Sequence, residues 1–169
     1  MAEPSFRVCL PIVYFDCIVV KVRQDKQIIN KAVYVALGID RSGRKDSLGL
    51  WISENEGAEF WLGNLTELKN QGMQDMLIAC TDNLPGMSDA ISAVYRKCEH
   101  QLCIVHQIRN NLTYVSYKDR KELAADLKPV YAAATEDDAL LSLQSFEAKW
   151  GKRYPQVAKS WMNNCQNLI

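Results

Sequence analysis

The chain reads as an α/β domain built on a mixed five-stranded sheet flanked by helices and followed by an all-α segment. Three observations carry this reading. Residues 12–53 hold three runs rich in β-branched and aromatic residues with short polar turns between them. Residues 57–105 alternate helical and strand-like periods, and after Tyr117 only helical periods remain.

Residues 12–23 (Ile-Val-Tyr-Phe-Asp-Cys-Ile-Val-Val-Lys-Val-Arg) are apolar at successive positions, the pattern of a strand buried on both faces. A turn at Gln24, Asp25 and Lys26 leads to a second strand over 28–39, and the turn Asp40 to Arg44 leads to a third near 47–53. Turns this short imply antiparallel neighbours. Ala58, Trp61, Leu62, Leu65 and Leu68 recur at three- and four-residue spacing, which predicts a helix over 57–70 stopped by Gly72. Residues 76–81 form a short buried strand ending at Asp82. Met87, Ala90, Ile91, Val94 and Tyr95 mark the next helix, with Pro85 near its start. Residues 101–105 read as a fifth strand that runs into a helix from about His106. Three helices then span roughly 119–134, 136–150 and 154–166. Strands separated by helices are normally parallel crossovers. Three antiparallel strands followed by helix, strand, helix, strand, helix match the ribonuclease H-like arrangement. Residues 1–117 are expected to form that core, and 118–169 an incomplete all-α insertion.

A chain of 169 residues that is 48% hydrophobic can fill one core. No stretch reaches the roughly 18 apolar residues of a membrane span, and the longest apolar run, Leu10–Val20, is interrupted by Asp16. Met1–Arg7 lacks the pattern of a secretion signal, so a cytoplasmic protein is expected. Lys+Arg and Asp+Glu are both 20, which excludes the strongly basic footprint of a dedicated nucleic-acid module. Any DNA contact must come from local patches or from parts of a longer protein. The six cysteines are read as reduced thiols, because Cys17 and Cys80 sit inside apolar runs. Trp51, Trp61, Trp150 and Trp161 are read as packing residues rather than base-stacking platforms.

Asp16 is the strongest local anomaly, since an ionised carboxylate within a buried strand is costly unless it is paired or binds a metal. Its ordinary reading is a hydrogen-bonded residue or a partner of Lys21. Asp82 follows a strand end, where α/β sheets commonly place ligand sites, although a turn or helix cap before Asn83, Leu84 and Pro85 would explain it equally. If the first and fourth strands are adjacent, the two carboxylates meet at one edge of the sheet. An oxygen-rich pair of this kind suits Mg2+ or Mn2+ and metal-assisted phosphodiester chemistry. Cys98, His100, Cys103 and His106 fall within nine positions and raise a zinc hypothesis. A strand through 101–105 would send Cys103 and His106 apart, and they converge only if a turn begins there. A buried thiol and a hydrogen-bonded histidine near the active face fit better. Arg109 and Asn110, or the groups Arg41, Arg44, Lys45 and Lys118, Arg120, Lys121, could face phosphate, though charge runs are ordinarily solvated surface. No phosphate-cradling glycine loop and no nucleophile elbow occurs.

Four segments together resemble the Mutator-type insertion-sequence transposases of bacteria. They are Pro11-Ile-Val-Tyr-Phe-Asp16, Val19-Val-Lys-Val-Arg23, Cys80-Thr-Asp82 with Gly86 and Ala90-Ile91, and Gln101-Leu-Cys103-Ile-Val-His106-Gln-Ile-Arg109-Asn110. The resemblance spans roughly residues 11–165. It implies a ribonuclease H-like core with an Asp, Asp, Glu triad and Mg2+ (or Mn2+), cleaving at transposon ends and joining the 3′-hydroxyl to target DNA. Asp16 matches the first acid and Asp82 the second, both as metal ligands. Cys103 and His106 match a signature pair beside the active site, and Lys21, Arg23, Arg109 and Asn110 are candidate DNA contacts. The third acid of the family stands further from the second than the 87 residues that follow Asp82 here, and Glu122, Glu136 and Glu147 lie in no matching context. The expectation is a fragment whose third acid lies beyond Ile169, inactive alone. The alternative is a non-enzymatic product that self-associates or binds and inhibits full-length transposase through its apolar helical tail.

Overall fold

The computed structural model describes residues 9–53, 58–83 and 86–168, in two compact units, Met1–His100 and Gln101–Ile169. The expectations for Met1–Arg7 and Pro85 lie outside the described residues.

In the first unit the three apolar runs form β1 (Cys9–Gln24), β2 (Gln27–Ile39) and β3 (Lys45–Ser53). β1 and β2 pair antiparallel from Ile12↔Ile39 to Gln24↔Gln27, and β3 continues the meander beside β2. The first turn is Asp25–Lys26, both at positive φ (50° and 65°), a geometry whose twist suits a two-residue hairpin. The second is built by Asp40, whose carboxylate accepts from the Ser42 hydroxyl at 2.6 Å and from the Ser42 and Arg44 N–H groups. These donors hold the Asp40 carboxyl well below the usual carboxylate range. α1 (Ala58–Asn70) ends as its glycine predicts. Gly72 takes φ 106°, its N–H donates to Lys69 and that of Met73 donates to Leu68, the two bonds of a Schellman cap. β4 (Asp75–Thr81), α2 (Met87–Val94) and β5 (Glu99–Leu102) follow. The sheet order is β3-β2-β1-β4-β5 with β4 parallel to β1, the ribonuclease H-like arrangement that the sequence predicts.

Strand alternation places Val13 and Phe15 of β1 and Tyr34 and Ala36 of β2 on one face, under Trp61, Leu65, Leu68 and Ile91 of the two helices. Trp61 stands edge-on to Phe15 (5.4 Å between centroids) and to Tyr34 (4.9 Å). Each such pair adds about 0.5–1.5 kcal/mol to plain burial. The other face is more open, and Tyr14, Ile18, Leu37, Leu50 and Ile52 each expose more than a third of their surface. The expectation of a first strand buried on both sides is therefore corrected. Pairing with β4 stops at Phe15 and that of β2 with β3 at Ala32, opposite Val19, beyond which β1 and β2 continue as a two-stranded ribbon; Ile18, Val19 and Ile28 are exposed.

The second unit contains α3 (Ile104–Leu112), α4 (Tyr117–Tyr131), α5 (Glu136–Trp150), α6 (Pro155–Asn164) and a short 3-10 turn at Cys165–Asn167. Here too the sequence reading needs correction, because residues 103–105 are not strand. Ile104, Ile108 and Leu112 recur at four-residue spacing and pack on the helical core with Leu123, Leu127, Leu143, Trp150 and Trp161, which overrides the β preference of Ile-Val. No disulfide joins any of the six cysteines among the described residues. Among the described residues no helix is long and apolar enough to cross a membrane.

Asp119, in the first turn of α4, ties this unit together. Its carboxylate accepts from the hydroxyls of Tyr154 and Ser116 and pairs with Arg153 at 2.8 Å. The Tyr154 hydroxyl, then Ser116 and Arg153, hold its carboxyl below the usual value. A depressed carboxylate contributes stability that is complete above its unfolded pKa, about 3.9, and is lost as pH falls through the folded value. Circular-dichroism melts of the helical unit should therefore lose midpoint temperature on acidification below about pH 4. Asp119→Asn should lower the midpoint at neutral pH and flatten that acid limb.

Candidate active site

β1 and β4 run parallel in a register that ends at Phe15↔Thr81. The next residue on each is an aspartate, Asp16 and Asp82. Neighbouring strands lie about 4.8 Å apart, so the fold brings these two acids to adjacent strands at the same level. Their side chains are half-buried. Asp16 alternates with Tyr14 and Ile18, on the open face away from Trp61. The preceding Phe15 is locked into the core, and this packing sets which way Asp16 points. The Asp16 carboxylate accepts the Cys17 N–H at 2.8 Å.

Two half-buried carboxylates offer oxygen donors of the kind that suits a hard cation, Asp16 from the less covered side of the sheet. Among the described residues, no group of three or more His, Cys, Asp or Glu side chains is placed to hold a metal ion.

Two residues behind Asp82 were not assigned a role from sequence. Thr81 is 1% exposed, and its hydroxyl lies 2.7 Å from the Asp82 carbonyl oxygen and 2.7 Å from His100 Nε2. Burial lowers the His100 pKa from its ordinary value. The histidine was visible only as a member of the Cys/His group. The sheet order, which sets β5 beside β4, is the signal that would have found it. Nearby Cys98 is pushed up to about 11, by burial first, and so stays a thiol.

Two of the remaining candidates, both in the first unit, are not gathered at this pair. Lys21 and Arg23 are exposed and stand five and seven residues beyond Asp16, on the opposite face of the ribbon. The pairing of Asp16 with Lys21 considered from sequence is therefore not built. In the second unit, Cys103 is the N-cap of α3 with extended backbone (φ −70°, ψ 113°), and His106 lies in the first turn. A turn does begin at Cys103, so the two sit on one side of the helix start. Arg109 and Asn110 are exposed further along α3.

Comparison with known proteins gives a consistent set of similarities. The family described as "Transposase, Mutator family" matches residues 2–169. The chain is 47% identical over 162 residues to a "Transposase for insertion sequence element ISRM3" of Rhizobium meliloti, covering 95% of this chain and 40% of that protein. It is 44% identical over 160 residues to a "Probable transposase for insertion sequence element" of Corynebacterium diphtheriae, covering 94% and 47%. A "Transposase for insertion sequence element IS1201" of Lactobacillus helveticus is 31% identical over 148 residues, covering 88% and 40%. The chain thus spans less than half the length of these relatives.

Proposed function

The chain belongs to the Mutator family of transposases, and on that premise we propose that Asp16 and Asp82 are two metal-binding carboxylates of a DNA cleavage and strand-transfer centre. The observation that carries the reading is the parallel register Phe15↔Thr81, which sets the two aspartates side by side where β1 and β4 part. Mg2+ or Mn2+ bound there would supply Lewis acidity to phosphodiester chemistry. The chain's own part is to hold two carboxylates on rigid strands, one backed by the Phe15–Trp61 packing and the other by Thr81. Glu122, Glu136 and Glu147 stand on helices of the second unit, and none of them is assigned as a third acid. Residues 118–169 are read as the start of the all-α insertion.

The substrates under this reading are transposon ends and target DNA. Lys21 and Arg23 on the exposed ribbon, and Arg109 and Asn110 on α3, are assigned as phosphate contacts. Cys103 and His106, at the start of α3, keep the assignment of the family's signature pair. The inhibitory alternative rests on the helical tail, where Leu123, Leu127, Leu143, Trp150 and Trp161 are buried in that unit's own core while Leu140, Leu141 and Met162 are exposed.

Incubating the chain with supercoiled plasmid and Mn2+ tests the proposal. The expected result is at most slow, metal-dependent nicking, and any that occurs should be abolished by Asp16→Ala and by Asp82→Ala. Nicking that is indifferent to metal and to both substitutions would sink the assignment. Rapid nicking lost in either variant would instead show that no third acid is needed.

A further inference from the structure

We infer that His100 is a positioning residue for the metal site, holding the main chain of Asp82 through the hydroxyl of Thr81. The inference rests on the reading of Asp16 and Asp82 as metal ligands.

The geometry fixes the direction of both hydrogen bonds. Thr81 has one hydroxyl proton and two oxygen or nitrogen neighbours at 2.7 Å, the Asp82 carbonyl oxygen and His100 Nε2. A carbonyl can only accept. The Thr81 proton is therefore committed to Asp82, and the Thr81 oxygen can only accept from the histidine. His100 must donate from Nε2, so the chain runs Nε2–H to Oγ1–H to the Asp82 carbonyl. Burial of the ring favours its neutral form, and in that form the proton resides on Nε2.

The anchor acts where the sheet stops holding the chain. β4 ends at Thr81, and Asp82 is one residue past the last register pair with β1. The Thr81 bond pins the Asp82 carbonyl, and with it the φ/ψ setting from which the Asp82 carboxylate projects. Thr81 is almost fully buried and the imidazole is half-buried, so water competes poorly for either bond. Partners lying behind metal ligands commonly change affinity by about 10–100-fold when removed. His100 donates to the strand rather than to a ligand side chain, so its effect on affinity passes through backbone order at Asp82.

Mn2+ titration of the full chain, read by electron paramagnetic resonance of the free ion, tests this alongside circular-dichroism melts. The wild type should bind Mn2+ and Asp82→Ala should not. His100→Leu should weaken binding by about tenfold or more while the melt stays close to wild type. His100→Gln, whose amide N–H reaches the same acceptor, should restore binding. If His100→Leu does not fold, His100→Asn, one methylene too short to reach Thr81, takes its place. A leucine variant that binds as tightly as wild type, or a glutamine variant as weak as leucine, would overturn the positioning role alone. Equal Mn2+ binding by wild type and Asp82→Ala, or none by either, would remove the metal reading itself and this inference with it.

Discussion

β1 is hydrogen-bonded on both sides through its first half, antiparallel to β2 and parallel to β4, and that central position decides what Asp16 can do. Successive residues of a strand point to opposite faces, so a slip of one residue would drive Asp16 into the cluster around Trp61 and turn Phe15 outward. The edge-on contacts of Trp61 with Phe15 and Tyr34 oppose that slip. An aromatic core thus holds a carboxylate on the open face without touching it. The register with β4 then sets Asp82 at the same level on the neighbouring strand. The chemistry proposed for the pair depends on this packing more than on any contact made by the carboxylates themselves.

Much of the fold was legible because its signals are local. The meander β1–β2–β3 follows from short turns between β-branched runs, and the stop of α1 follows from Gly72. α5 matches its predicted span of residues 136–150. The adjacency of the first and fourth strands was a condition stated from sequence and is met in the sheet order. The misreadings have a common cause, that periodicity does not tell which neighbour a residue will find. Residues 103–105 carry strand-forming side chains, yet Ile104 and Ile108 are claimed by the helical core. The far half of β1 reads as buried, yet β4 accompanies it only as far as Phe15. Lys21 was weighed as a partner of Asp16, yet the odd spacing between them puts the two on opposite faces. His100 was invisible as a partner of Thr81, because their contact joins residues 19 apart through strand order alone.

The helical unit shows a different balance. Its core is continuous from Ile104 to Leu168, and its polar organisation gathers on Asp119, which links the start of α4 to Tyr154 and Arg153 ahead of α6. A second carboxylate, Asp126, accepts from Lys149 and from the Trp150 indole at 2.8 Å and ties α4 to α5. Neither acid stands near a catalytic partner within that unit, and both are explained by holding helices together. The acids of the first unit have the opposite character. Asp16 and Asp82 sit where β1 and β4 part, and under the proposed reading their placement follows from what they would bind.

Anomalous diffraction from a crystal soaked in Mn2+ tests the central claim most directly. The account predicts one peak shared by the Asp16 and Asp82 carboxylates, with oxygens at roughly 2.0–2.3 Å from it, as for a hard divalent cation. Carboxylates turned too far apart to share an ion, with no peak between them at saturating Mn2+, would contradict it.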